Sequence, residues 1–285
     1  EGLGTSGTSC FTSFYDQWAQ SGGARSVGIP FDAYDSDRLT LDALLGSLNG
    51  VVFTGGGLNL SDVLSPYYRT GRYIFEYVQR VNDAGRYFPL TGHCMGFQFL
   101  AILAAGDSSV LLTDSFDSEG LPLPLEWAQD AESSAWLRRM PPAIRSVLGS
   151  ENVTINLHHD GVPPAAFLSN AQLSSFFSVL STNQDRRGRA FVSTMEAKRY
   201  PILAVQWHPE RTQFDWTPEE NINHSEHAVA ANAWTAVDFI NEARKSMPQE
   251  RNMKLLGSLS TYTMTRIPVG DAINGLVFLI FEGFQ

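Results

Sequence analysis

Cys94 stands between Gly92 and Gly96, inside the apolar run "PLTGHCMGFQFLAILAAG". A lone cysteine in such a run ordinarily packs as a small hydrophobe. The glycines argue for another use. Gly92-His93-Cys94-Met95-Gly96 has the Gly-x-nucleophile-x-Gly spacing of a nucleophile elbow, a strained turn from strand to helix. Flanking glycines leave room where strand and helix nearly touch. The following helix aims its positive end at the sulfur and favours the thiolate. The chemistry expected is covalent catalysis by sulfur.

A nucleophilic thiolate needs an imidazole and a group that orients it. "VQWHPE" offers His208 and Glu210 just after a predicted strand. Pro209 keeps His208 out of helical geometry. Residues two apart in an extended stretch share a side, so Glu210 can hold the ring of His208. An isolated "HPE" could equally be a solvated surface loop; the upstream cysteine weighs against that. Gly55-Gly56-Gly57 follows "VVF", at the strand end where open α/β sheets bind ligands. The N–H groups of Gly56, Gly57 and Met95 are therefore expected to form an oxyanion hole. Alone, the glycines would be an ordinary strand-to-helix turn.

The elements that must position these groups alternate. "SFYDQWAQSGG" reads as a helix with Tyr15 and Trp18 on one face, and "RSVGIPF" as a strand. Helix "LTLDALLGSLNG", strand "GVVF", a long helix ending at Gly85, strand "YFPLTG" and helix "MGFQFLAILAAG" follow. Such alternation predicts parallel β/α units with right-handed crossovers. Further on, "SAWLRRMPPAIRSVL" is helical around a proline break, and "VTINLHHDGV" is a strand and a turn. "FFSVLSTN", "AFVSTMEA" and "PILAVQWHPE" read as three successive strands, and "HAVAANAWTAVDFINEARKSM" as an amphipathic helix. "QERNMK" is a polar linker before a last strand, "NGLVFLIF". The expectation is one α/β domain over residues 1–285. Its central sheet is mostly parallel and flanked by helices, with added strands in the C-terminal half and an extension at 249–285.

The 285 residues are 43% hydrophobic and carry a net charge of −10, a globular composition without the basic stripe that nucleic acid requires. No apolar run reaches the roughly 18 residues of a membrane span. The two cysteines, Cys10 and Cys94, form no zinc spacing and no disulfide framework. No metal or cofactor is expected. "EGLGTSGTSCF" has no basic or apolar run of a signal peptide. Asn59, Asn152 and Asn223 are glycosylation sequons.

Taken end to end, the chain resembles the γ-glutamyl hydrolases, folylpolyglutamate-cleaving members of the class I glutamine amidotransferase-like superfamily. "ARSVGIPFD", "LNGVVFTGGGLNL", "YFPLTGHCMGFQFL", "NLHH", "FVSTMEAKRYPILAVQWHPER" and "AVDFINEARK" carry the resemblance, in order. It implies a flavodoxin-like fold, Cys94 as nucleophile, His208 as general base and acid, and Glu210 as third member. His158 matches a histidine close to the family's catalytic site and is expected to touch substrate. The implied substrate is a folate or antifolate polyglutamate, and the implied setting is lysosomal, vacuolar or secreted. No nucleic-acid or membrane partner is implied, and a homodimer is left open. An anionic substrate needs local cations, for which Arg69, Arg72, Lys198, Arg199 and Arg211 are candidates.

Three departures stand out. The family's first strand is expected to be absent, its place taken by a Gly/Ser/Thr segment. "CMGFQ" replaces the usual "CLGFE", so Gln98 stands where glutamine amidotransferases carry it. Gln98 shares a helix face with Cys94 and is expected to touch substrate. It supports the alternative reading, a glutaminase-type domain supplying ammonia to a partner synthase. A complete Cys-His-Glu set argues against a third reading, a non-enzymatic ligand binder. His93 stands where a small or hydroxyl residue is usual, and is expected to point into packing or solvent.

Overall fold

The computed structural model describes residues 8–248, 251–268 and 277–282. Among them the chain forms β1 (Thr8–Thr12), β2 (Val51–Phe53), β3 (Leu90–His93), β4 (Leu121–Leu123), β5 (Glu126–Trp127) and β6 (Thr154–Asn156). β7 (Phe177–Gln184), β8 (Ala190–Ala197), β9 (Ile202–Val205), β10 (Thr265–Pro268) and β11 (Val277–Glu282) complete the set. The central sheet has the order β2-β3-β9-β8-β7-β5. It is parallel from β2 through β3 to β9 and antiparallel beyond. The parallel half carries Cys94, and the antiparallel half is built from the successive strands β7, β8 and β9 with β5 at its edge.

Strand parity assigns the two faces of this sheet. Val51, Phe53, Leu90, Ile202 and Ala204 pack into a core with the helices Pro66–Asp83 and Met95–Ala105. Val52 points the other way, toward Trp18 and Ala236 of the helices Ser13–Ser21 and Glu226–Arg244. Leu203 and Val205 also face that side, against Trp136, Trp207, Ala228 and Ala231. Helices therefore cover both faces of the sheet. Their ends are capped locally: Ser65 accepts from the Tyr68 N–H with Pro66 in the first turn, and Gly106 closes Met95–Ala105 at φ 67°.

One reading needs correction. "RSVGIPF" is not a strand of the central sheet; it makes a single bridge, Val27 to Ser260. Pro30 has no N–H to give a ladder, and the run ends there. Near the N-terminus, among the described residues, β1 pairs with β11, which also pairs with β10 in a separate antiparallel sheet. Residues 1–7, the first two residues of "QERNMK" and the first three of "NGLVFLIF" lie outside the described residues.

Candidate active site

Cys94 occupies the junction between β3 and the helix Met95–Ala105, at φ 51° and ψ −109°. A non-glycine residue held at positive φ stores strain. The two glycines are needed because backbone crowds both positions. A Cβ on Gly92 would lie 2.6 Å from the Gly96 oxygen, and one on Gly96 would lie 2.2 Å from the Phe53 oxygen. The Cys94 N–H is tied to the Val205 oxygen at 2.9 Å, so the elbow is anchored to β9. The side chain is buried, with its sulfur 4.0 Å from the Leu157 oxygen.

β9 also delivers the imidazole. Three residues beyond its end, the His208 N–H bonds the Ile155 oxygen at 3.0 Å. His208 Nδ1 meets Glu210 Oε1 at 2.6 Å, and the same ring lies within electrostatic reach of the Cys94 sulfur. Burial by itself would lower the affinity of His208 for a proton. The opposite charges of Cys94 and Glu210 outweigh it and raise the imidazole to about 10. Glu210 is fully buried, which would push its carboxyl up. The two histidines outweigh that and hold it well below the usual carboxylate range. The arrangement is a line running from sulfur through imidazole to carboxylate.

His93 corrects the expectation of simple packing. Its Nδ1 lies 3.1 Å from Glu210 Oε2, so one carboxylate serves two imidazoles. Its ring meets Trp18 edge-on at 4.9 Å. Tyr15 is the other group that sequence reasoning missed. Its hydroxyl accepts the Gly55 N–H at 2.5 Å, and burial followed by the charges of Glu210 and Cys94 raises it well above the usual phenol range. The pairing of Tyr15 and Trp18 on one helix face was the only signal for either contact.

The glycine run divides. A Cβ on Gly55 would lie 2.9 Å from His208 Cε1 and 3.4 Å from Cys94 Cβ, so this is the glycine against the thiol. A Cβ on Gly56 would meet Met95 Cε at 2.9 Å, while Gly57 is exposed with open space around it. The structure thus sets Gly55 and Met95 beside Cys94, Gly56 against the Met95 side chain, and Gly57 outward.

His158 and Gln98 converge on one acceptor, the Asp160 oxygen, at 2.8 Å from His158 Nδ1 and 3.0 Å from Gln98 Nε2. Gln98 also reaches Gln206 Oε1 at 3.3 Å. Both are buried. Burial pushes His158 down to about 3, so it is a neutral ring in the fold. The five basic candidates are dispersed. Arg69 pairs Asp35, Arg72 lies near Glu76, Arg199 pairs Asp83, and Lys198 donates to the Ser174 oxygen. Arg211 alone adjoins Glu210, at 4.0 Å, and its guanidinium is held by Asp215. A cavity of about 660 Å³ opens on the Trp18 side of the sheet; His93 lines it, but Cys94 and His208 do not. It lies behind the reacting groups, so it does not present substrate to the sulfur. Among the described residues no cluster of three or more His, Cys, Asp or Glu could hold a metal.

A mixed sheet covered by helices on both faces, with a strained cysteine at the end of a central parallel strand, defines an α/β fold that presents a nucleophile at a strand-to-helix turn. The Peptidase C26 model matches residues 2–210, and the chain belongs to that family of hydrolases. Among curated relatives, gamma-glutamyl hydrolase B of Dictyostelium discoideum is 36% identical over 81% of this chain and 65% of its own length. The gamma-glutamyl hydrolase of Rattus norvegicus is 37% identical over 81% of this chain and 70% of its own. Gamma-glutamyl hydrolase 1 of Arabidopsis thaliana is 35% identical over 86% and 68%. The chain thus spans about two thirds of the length of these relatives. A solved GMP synthase component from Thermoplasma acidophilum aligns over 82% of this chain and 91% of that one. Its identity is 19% and its TM-score 0.48.

Proposed function

We propose that this chain hydrolyses γ-glutamyl bonds, with folate and antifolate poly-γ-glutamates as substrates, through a thioester on Cys94. The observation that carries the reading is the line from the Cys94 sulfur through His208 to Glu210. It stands in a family whose curated relatives are named gamma-glutamyl hydrolases. The thiolate attacks the γ-carbonyl carbon, and the carbonyl π electrons move to oxygen. The N–H of Met95, first of its helix, and that of Gly56 are the donors assigned to this oxyanion. The Gly55 N–H is already used by Tyr15. His208, raised in proton affinity, gives its proton to the leaving nitrogen as the C–N bond breaks. It then takes a proton from water, whose oxygen attacks the thioester and releases the thiolate. Glu210 holds the ring and balances the imidazolium.

The alternative of a glutaminase supplying ammonia rested on Gln98. That amide is engaged by Asp160 and Gln206, which favours a structural part for it in either reaction. A lysosomal, vacuolar or secreted setting belongs to the same proposal. None of the described helices is long and apolar enough to cross a membrane. The test is parallel measurement of kcat/KM on a folate diglutamate, read as glutamate released, and on glutamine, read as ammonia. The expected result is efficient cleavage of the diglutamate. Efficient glutamine hydrolysis with no action on the diglutamate would overturn the reading.

A further inference from the structure

Glu210 is gripped on both oxygens by two rings, one from the end of β3 and one from the loop after β9. His208 approaches Oε1 from the thiol side, and His93 approaches Oε2 from the Trp18 side. We propose that His93 is a positioning residue: by holding the second oxygen of Glu210 it fixes the carboxylate plane and, through it, the ring of His208. The proposal rests on the reading of Cys94, His208 and Glu210 as the catalytic set.

The terminal torsion of a glutamate is broad and roughly two-fold, so one hydrogen bond leaves its carboxylate plane loosely defined. A second donor on the other oxygen removes that freedom. An ionised carboxylate only accepts, so His93 must carry a hydrogen on Nδ1. The anchor itself is rigid. His93 lies within the parallel ladder, opposite Val205, and its ring is pinned edge-on by Trp18. Strand parity sends it to the face opposite the helix Met95–Ala105, which is why the residue next to the nucleophile reaches the far oxygen. Arg211 adds charge at 4.0 Å, but Asp215 already holds its guanidinium, so it does not set the plane. Cys94, Tyr15 and Arg211 also face this cluster, with His158 and Glu220 in electrostatic reach of His208 and Asp215 on Arg211.

The test compares His93→Phe, which keeps a ring against Trp18 but has no donor, with His93→Asn, which keeps an N–H near the place of Nδ1. Two readouts are taken: kcat and KM on a folate diglutamate, and the pH profile of Cys94 alkylation by iodoacetamide. Alkylation needs no substrate, so it reads the proposal even if the diglutamate is not cleaved. For His93→Phe, kcat should fall roughly 10- to 100-fold, the factor a charge-assisted hydrogen bond is worth, with KM little changed. The acid limb of the alkylation profile should move to higher pH, because a loosely held imidazolium supports the thiolate less. His93→Asn should keep most of both. Unchanged kcat and alkylation in His93→Phe would overturn the proposal, as would equal losses in the two variants or a loss confined to KM. If His93→Phe fails to fold by circular dichroism, His93→Leu is read against the same criteria.

Discussion

The carboxylate of Glu210 presents an acceptor to two imidazoles at once. Glu210→Gln replaces one acceptor oxygen with an NH₂ donor, so one of the two rings must face a donor. The expected outcome is a drop in kcat on the order of 10³-fold, with a much smaller change in KM, measured by steady-state kinetics. A loss seen in KM alone would make Glu210 a substrate contact. Cys94, His208 and Glu210 could be read from spacing, because elbow glycines and strand parity are local rules. His93 could not. Parity places it on the far face, but nothing in the sequence says that Glu210 folds down to meet it there. Tyr15 was equally hidden, since its partner Gly55 lies 40 residues away in the chain.

At the scale of elements, the elbow works because two backbones touch. A side chain on Gly96 would have to displace the Phe53 carbonyl of β2, which is sheet and cannot give way. Gly96→Ala should lose at least about 1–3 kcal/mol by urea denaturation, the usual cost of overpacking. Gly46, in the helix Arg38–Ser47, has nothing within 4 Å of a Cβ. Gly46→Ala should therefore be neutral or stabilising, by up to about 1 kcal/mol. Equal behaviour of the two variants would contradict the close-packed elbow. The alternation of strands and helices from β2 through Met95–Ala105 was legible because glycine or proline marks most boundaries: Gly55 near the end of β2, Pro66 and Gly85 around the long helix, Pro89 before β3 and Gly106 after Met95–Ala105. "RSVGIPF" misled because a β-rich composition does not supply a neighbouring strand to pair with. The placing of Gly55 rather than Gly57 against the thiol depends on how the loop leaves β2, which composition does not encode.

For the whole molecule, the buried ionisable groups set the response to acid. His158 is pushed down to about 3 in the fold, against an ordinary value of 6.5. As pH falls below 6.5 the unfolded chain binds a proton that the folded chain refuses, so stability falls, by up to roughly 1.4 kcal/mol per pH unit. Glu210 is lowered from 4.5, so its contribution is present above that value and is lost only at lower pH. The window from pH 6.5 to 4.5 therefore isolates His158 from Glu210. In urea unfolding at pH 7 and pH 5, His158→Gln should narrow the gap in stability between the two conditions. An unchanged gap would show that the ring is charged in the fold. The mixed sheet and its two helical layers were legible from the order of elements. The β1-β11-β10 sheet was not, because it joins the two ends of the chain and no local pattern announces so distant a pairing.

The central claim is that the Cys94 sulfur is the nucleophile. The direct test is turnover of a folate diglutamate by Cys94→Ala beside Cys10→Ala, the other cysteine being exposed and free. With both variants folded by circular dichroism, Cys94→Ala should lose roughly 10⁴-fold or more in kcat while Cys10→Ala stays near the parent. Near-normal turnover by Cys94→Ala would contradict the account.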